Sequence, residues 1–148
     1  MQGVIQNGDI VLYDKIANLN DLHKIRGSYI ALMDPYSNKN VLIRKLIALP
    51  NQWICRKDDG GYIKVPNWHI WIETEGNHID DSLSKFGPIT AKLLLGKARY
   101  IVWPPWRFVN LEDMNKFSLF NQNQSVHSSV YTDNQVRLMF EMDGYGKF

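Results

Sequence analysis

Short runs of β-branched and aromatic residues, each closed by a turn signal, constrain the fold of this 148-residue chain most strongly. Such runs are typical of strands, and the Gly, Pro, Asn and Asp residues between them break the chain into turns. The predicted strands are 9–13, 28–33, 41–49, 52–56, 62–65, 69–73 and 98–103. Residues 19–24 and 89–95 alternate less cleanly, and each predicts a single helical turn. The pattern indicates a mainly β domain of the barrel or sandwich kind.

The composition excludes several function classes. Apolar residues make up 45% of the chain, which predicts a packed globule, and the net charge of +2 is too small to predict nucleic-acid binding. A single cysteine, Cys55, excludes an internal disulfide and a cysteine-based zinc cluster. We therefore expect no metal, no cofactor and no nucleic-acid partner.

The ends of the chain also carry expectations. No apolar stretch approaches the roughly twenty residues that span a bilayer, and the first residues lack the features of a secretory signal or a mitochondrial presequence. After Pro104-Pro105, residues 110–129 are rich in Asn, Gln and Ser, and 135–142 predict one returning strand. The sequence thus predicts a β domain over 1–109 and a peripheral polar tail over 110–148.

Three segments go beyond a generic β domain. Residues 41–54 read Val-Leu-Ile-Arg-Lys-Leu-Ile-Ala-Leu-Pro-Asn-Gln-Trp-Ile. Residues 65–73 read Val-Pro-Asn-Trp-His-Ile-Trp-Ile-Glu and lead into Phe-Gly-Pro-Ile at 86–89. Residues 96–105 read Gly-Lys-Ala-Arg-Tyr-Ile-Val-Trp-Pro-Pro. One such motif alone is weak, but three in this order are specific.

In order and spacing, these segments resemble the signal peptidase I family (peptidase S26), and mitochondrial inner membrane protease subunit 2 in particular. In that family, a strand with Ile-Lys-Arg is followed by Pro/Glu-Gly-Asp and then by Val-Pro-x-Gly-His-x-Trp-Val-Glu. A loop that ends in Phe-Gly-Pro comes next, and Tyr-Ile-hydrophobic-Trp-Pro-Pro closes the domain. The resemblance covers about residues 1–107.

The resemblance implies a fold and a reaction. The fold is a signal-peptidase-like β-barrel or ribbon catalytic domain with short helical turns, here with a polar C-terminal extension. The reaction is serine-type endoproteolysis that removes targeting peptides from proteins sorted to the intermembrane space, at the outer face of the mitochondrial inner membrane. The implied partners are precursor peptides with targeting sequences and a sister protease subunit, with a membrane surface as a further candidate.

The family's catalytic pair is a serine nucleophile and a lysine base. The lysine must be desolvated until it is neutral near the working pH. The family order Ile-Lys-Arg becomes Ile43-Arg44-Lys45, so Arg44 occupies the lysine position and its guanidinium cannot act as a base. Lys45 is the only nearby candidate base, and strand alternation predicts that it turns away from the site unless a bulge re-aims it.

The remaining site features depart from the family as well. The family serine precedes a Met, and the sequence begins at Met1-Gln2, so we expect the nucleophile and the membrane anchor to be missing. In the family, a loop with an Asp-Ser pair orients the lysine, and Asp81 and Ser82 resemble that pair one residue too far from Phe86. The resemblance therefore predicts a protease relative that is inactive or truncated.

Two other functions stay open. A non-catalytic subunit would use the retained β domain to bind a sister protease subunit or an extended peptide through a strand edge. An aromatic-lined β-barrel that binds single-stranded RNA is a more distant alternative, which the charge opposes. The plain structural interpretation of Arg44 and Lys45 is one solvated cation and one edge cation.

Overall fold

A computed structural model of the chain describes residues 5–16, 18–37, 39–55, 61–73, 88–114, 129–132, 134–135 and 137–138. Ten strands account for nearly half of these residues and the helices are few and short, so the prediction of a mainly β fold is confirmed. The strands are β1 (Ile10–Lys15), β2 (Tyr29–Met33), β3 (Val41–Ala48), β4 (Trp53–Cys55), β5 (Tyr62–Lys64), β6 (His69–Glu73), β7 (Ile89–Thr90), β8 (Leu94–Trp103), β9 (Val109–Asn110) and β10 (Ser129–Tyr131).

The strands form two antiparallel sheets. The larger has the order β1-β8-β2-β3-β6-β7, and β9 adds to β8 beside this path. The smaller has the order β10-β4-β5. Strand β2 is buried along almost its whole length between β3 and β8, as its unbroken apolar sequence predicts.

A short helical segment covers one face of the larger sheet. Asn18 caps a 3₁₀ turn at Leu19–Asp21 through its side chain, and the helix α1 (Leu22–Ile25) follows directly. Its two buried residues, Leu22 and Ile25, pack into the cluster that holds the centre of the sheet. The helical turn predicted at 19–24 is therefore confirmed.

The second predicted helical turn is shorter than expected. Residues 89–95 contain strand β7, a 3₁₀ turn at Ala91–Leu93 and the first two residues of β8. The Thr90 side chain caps the turn, and Leu94 already pairs with Leu32 of β2. Because that pairing extends the chain, β8 begins four residues before its predicted start at residue 98.

The pairing of strand β8 with β1 has two irregularities that alternation alone does not reveal. Its register with β1 passes from Ala98 to Tyr100 and from Ile101 to Trp103, so Arg99 and Val102 have no partner position on β1. An extra residue in one strand reverses the facing of the residues after it. Ala98 and Ile101 therefore share one buried cluster although they are three positions apart, an odd spacing that places residues of a regular strand on opposite faces.

The end of the chain returns to the fold by one strand. β10 pairs with β4, whereas the predicted strand at 135–142 is wrong in its described part, because residues 134–135 and 137–138 are helical. Leu111, just beyond the predicted domain boundary, is fully buried beside Ile101. The division into 1–109 and 110–148 stays a prediction.

Trp68 occupies a strained backbone conformation in the turn before β6. Its φ is 63°, in the left-handed region that costs a bulky side chain about 1–2 kcal/mol. The carbonyl of Trp68 accepts a hydrogen bond from the Ala91 N–H at 2.7 Å, which holds this geometry. The family pattern has glycine at this position, which adopts the same φ without strain.

We expect Trp68→Gly to be more stable than Trp68→Ala by about 1 kcal/mol. Both variants lose the indole, which is 63% exposed, and only the alanine keeps the strain. Chemical denaturation of the two variants measures the difference in unfolding free energy. An alanine variant as stable as the glycine variant would show that the turn relaxes to negative φ.

Candidate functional site

An open cleft of about 660 Å³ lies between the segment 5–11 and the first half of β3, residues 41–45. Tyr13 and Tyr29 complete its lining. One wall thus comes from the N-terminal segment and the other from the strand that holds the basic pair. The fold therefore places segment 5–11 opposite the strand that carries Arg44 and Lys45.

Lys45 is the buried cation of this cleft. Its side chain lies in the middle of β3, 7% exposed, opposite Tyr29 of β2 and Glu73 of β6. Its Nζ atom is 5.9 Å from the centroid of the Tyr29 ring. Burial lowers the pKa of Lys45 below the usual lysine value, and the nearby charge of Glu73 opposes that shift.

Arg44 lies on the other face of the same strand. Its strand neighbours Leu42 and Leu46 pack in the cluster beneath α1, whereas Ile43 packs on the cleft side. The Arg44 guanidinium folds back onto its own strand, where Nη1 donates to the Ile43 carbonyl oxygen at 2.8 Å. Arg44 contributes to the cleft lining, but its side chain and that of Lys45 leave β3 in opposite directions.

The bulge considered from the sequence lies farther along β3. The register with β6 passes from Leu46 to Ala48, so Ile47 is the skipped residue. Alternation is unbroken from Val41 to Leu46, and the orientation of Lys45 follows from it. On the face of β3 that carries Lys45, Ile43 packs with Ile5 and Val11 against the cluster that contains Tyr29.

An ion pair holds the N-terminal wall of the cleft. Asp9, whose side chain is 2% exposed, accepts hydrogen bonds from Arg107 Nε at 3.0 Å and from Arg107 Nη2 at 2.9 Å. It also accepts the backbone N–H of Gln6 at 2.9 Å. The hydrogen bond from Arg107 lowers the pKa of Asp9, against the raising effect of burial. Asp9 is therefore an anion that ties the wall to the chain after Pro105.

Sequence reasoning identified the basic pair but missed three residues of the cleft and its support: Tyr29, Asp9 and Arg107. Asp9 and Arg107 lie 98 positions apart, and no spacing rule connects them. Tyr29 is part of a predicted strand, but only the strand register places it against Lys45. The expected orienting pair, Asp81 and Ser82, lies outside the described residues.

The chemistry of the described cleft residues is limited. They include no serine, threonine or cysteine. Across the described parts of the chain, no three His, Cys, Asp or Glu side chains cluster so that they could hold a metal ion. Within the same parts, no helix has the length and apolar character to cross a membrane.

Comparisons with known proteins give consistent names. The chain is 28% identical over 105 residues to mitochondrial inner membrane protease subunit 2 of Danio rerio, covering 70% of the chain and 57% of that protein. It is 34% identical over 115 residues to subunit 2 of Homo sapiens, covering 76% of the chain and 64% of that protein. It is 31% identical over 102 residues to subunit 2 of Saccharomyces cerevisiae, covering 68% of the chain and 58% of that protein.

The comparisons cover only part of each relative. The chain spans between 57% and 64% of the length of these three proteins. No protein-family model matches the chain, and no solved structure matches it. The chain is a relative of the mitochondrial inner membrane protease subunits, which confirms the resemblance to the signal peptidase I family predicted from its motifs.

Proposed function

We propose that this chain is a peptide-binding subunit of the mitochondrial inner membrane protease kind, and that the cleft beside Lys45 receives the targeting sequence of a precursor protein. The observation that carries the proposal is the burial of Lys45 in a cleft whose second wall is the N-terminal segment. The names of the relatives support the same proposal, since each is a protease subunit of that membrane. The proposed location is the intermembrane-space face of the inner membrane.

Lys45 has the physical properties that a general base requires. A lysine accepts the proton of a nucleophile only when it is neutral, and desolvation favours the neutral amine. The surroundings of Lys45 supply that desolvation, because Tyr29 and Ile43 pack beside it. Arg44 occupies the family's lysine position in the motif, but a guanidinium keeps its proton. We therefore propose Lys45, and not Arg44, as the candidate base of the cleft.

We infer that the 148-residue chain itself has little or no proteolytic activity. A serine-type mechanism needs a hydroxyl within hydrogen-bond reach of the base, and the described cleft residues provide none apart from tyrosines. Binding needs no such group. An extended peptide is held by backbone hydrogen bonds and apolar contacts along a strand. Pairing with a sister protease subunit would then supply cleavage.

The test measures binding and turnover separately. A fluorescently labelled targeting peptide is titrated with the purified chain, and anisotropy reports binding. The matched variants are Ile10→Glu and Leu12→Glu, because both residues lie on β1 with exposures of 54% and 53%, and only Ile10 lines the cleft. We expect Ile10→Glu to weaken binding by about tenfold or more and Leu12→Glu by less than about twofold.

Two results would contradict the proposal. Equal weakening by both variants, or no peptide binding by the parent chain, would remove the cleft as the peptide site. The inference of low activity has its own check in the same samples, by separating the peptide products. Turnover that disappears in Lys45→Ala and persists in Arg44→Ala would overturn the inference of low activity. The same result would support Lys45 as the base.

A further inference from the structure

The ion pair between Asp9 and Arg107 fastens two segments that strand pairing already brings close, because Ile10 at the start of β1 pairs with Trp103 at the end of β8. Asp9 belongs to the turn before β1, and Arg107 to the 3₁₀ turn Pro105–Arg107 that follows β8. Both carboxylate oxygens of Asp9 are used by the guanidinium, in a paired geometry that a single-point lysine cannot reproduce. With 2% exposure of the Asp9 side chain, water competes little for these bonds.

Asp9 also closes its own turn. Its Oδ2 accepts the Gln6 N–H at 2.9 Å, and its backbone N–H donates to the Gln6 carbonyl at 3.2 Å. The segment 6–9 is thereby fixed as one loop, and every residue of it lines the cleft. The same carboxylate thus shapes the wall and attaches it to Arg107.

The attached wall lies over the face of β3 that carries Lys45. Ile5, at its start, and Val11, at its end, pack against the cluster that contains Tyr29 and Ala98. Tyr29 is the residue whose ring lies next to the Lys45 ammonium. Release of the segment 5–9 would therefore admit water to the side of Tyr29 and Lys45 that it now covers.

We propose that Asp9 and Arg107 are positioning residues, which clamp the segment 5–9 as the wall that excludes water from Lys45. The Asp9 carboxylate accepts its hydrogen bonds from Arg107 and Gln6, and its effect acts through the environment of the lysine. The importance of this clamp for peptide processing rests on the proposed function of the cleft. Its physical effect is measured without any peptide, so the two proposals fail separately.

The other charges near Lys45 stay in place when the clamp is removed. Glu73 on β6 faces it across the sheet, and Arg44 precedes it on β3. Asp9 lines the same cleft as Lys45, and loss of its negative charge would by itself lower the pKa of Lys45. A rise in that pKa in Asp9→Asn would therefore report exposure of the amine to water.

The experiment uses Arg107→Met and the isosteric Asp9→Asn in the full chain. NMR of lysine labelled at its Cε and Nζ atoms gives the pKa of Lys45, whose signal is identified by its absence in Lys45→Met. We expect both variants to raise that pKa toward the ordinary lysine value, because the wall no longer desolvates the amine. We also expect the Gln6 amide to exchange with solvent about tenfold faster or more.

Arg99→Met is the matched control, because Arg99 also bridges acidic residues far along the chain. Its Nε donates to Asp14 Oδ2 at 2.6 Å, and it pairs with Glu112, but neither acid lines the cleft. It should leave the Lys45 pKa unchanged. In a folded Asp9→Asn variant, faster exchange of the Gln6 amide with an unchanged Lys45 pKa would overturn the proposal. Unchanged exchange of the Gln6 amide in that variant would overturn it as well.

Discussion

Gly96→Ala is expected to lower the free energy of unfolding by about 3 kcal/mol or more. Gly96 lies in β8 where β1 crosses it, opposite Lys15. A Cβ atom at this position would lie 1.9 Å from the Asp14 carbonyl oxygen and 2.7 Å from the Asp14 carbonyl carbon. Both are backbone atoms, so no rotamer change relieves the overlap, and β1 itself must move away.

The matched control for this substitution is Gly8→Ala. An added Cβ at Gly8 meets nothing within 4 Å, but φ there is +92°, so the cost of about 1 kcal/mol is conformational. Chemical denaturation of the three proteins gives the comparison. If Gly96→Ala lowers the free energy of unfolding no more than Gly8→Ala does, β1 and β8 do not approach each other as closely at Asp14 as the structure indicates.

The second large effect is that of Ile54→Ala, which is expected to lower the free energy of unfolding by about 3 kcal/mol. Ile54 is fully buried in the middle of β4, the central strand of the smaller sheet, and it packs with Val65 and Trp71. Truncation leaves a cavity that the strands on either side close only in part. Ile54 also pairs with Val130 in β10, so the loss should spread to the returning end of the chain.

Two measurements check this second prediction. Denaturation should show a loss of less than about 1 kcal/mol for Ile10→Ala, because Ile10 is 54% exposed. Hydrogen exchange should show faster exchange of the amides of Ser129–Tyr131 in Ile54→Ala. Unchanged protection of those amides would mean that β10 does not depend on the packing of β4.

The sequence predicted strands well where one physical signal dominates. Residues 29–33 are a continuous apolar run and residues 41–48 are one interrupted only by Arg44 and Lys45; both have a turn at each end, and both are strands in the structure. The family motifs predicted the relatives, because motif order is a property of the sequence alone. The basic pair was also identified, since it lies inside one of these motifs.

Other features depend on contacts between distant residues and leave no local signal. The skipped positions at Arg99 and Ile47 are shifts in the register between paired strands, which spacing within one strand does not encode. The covering of Lys45 requires the N-terminal segment to fold over β3. The strand at Ser129–Tyr131 was missed because its pairing with β4 determines it more than its own composition does.

The position of β1 at the margin of the larger sheet has a consequence for how the molecule opens. Among the described strands, β1 pairs with β8 alone, and five of its six residues are exposed. A strand held on one side is the first to fray, at a free energy below that of global unfolding. The segment 5–9 continues directly into β1, so fraying of this strand would move that wall and open the cleft wider.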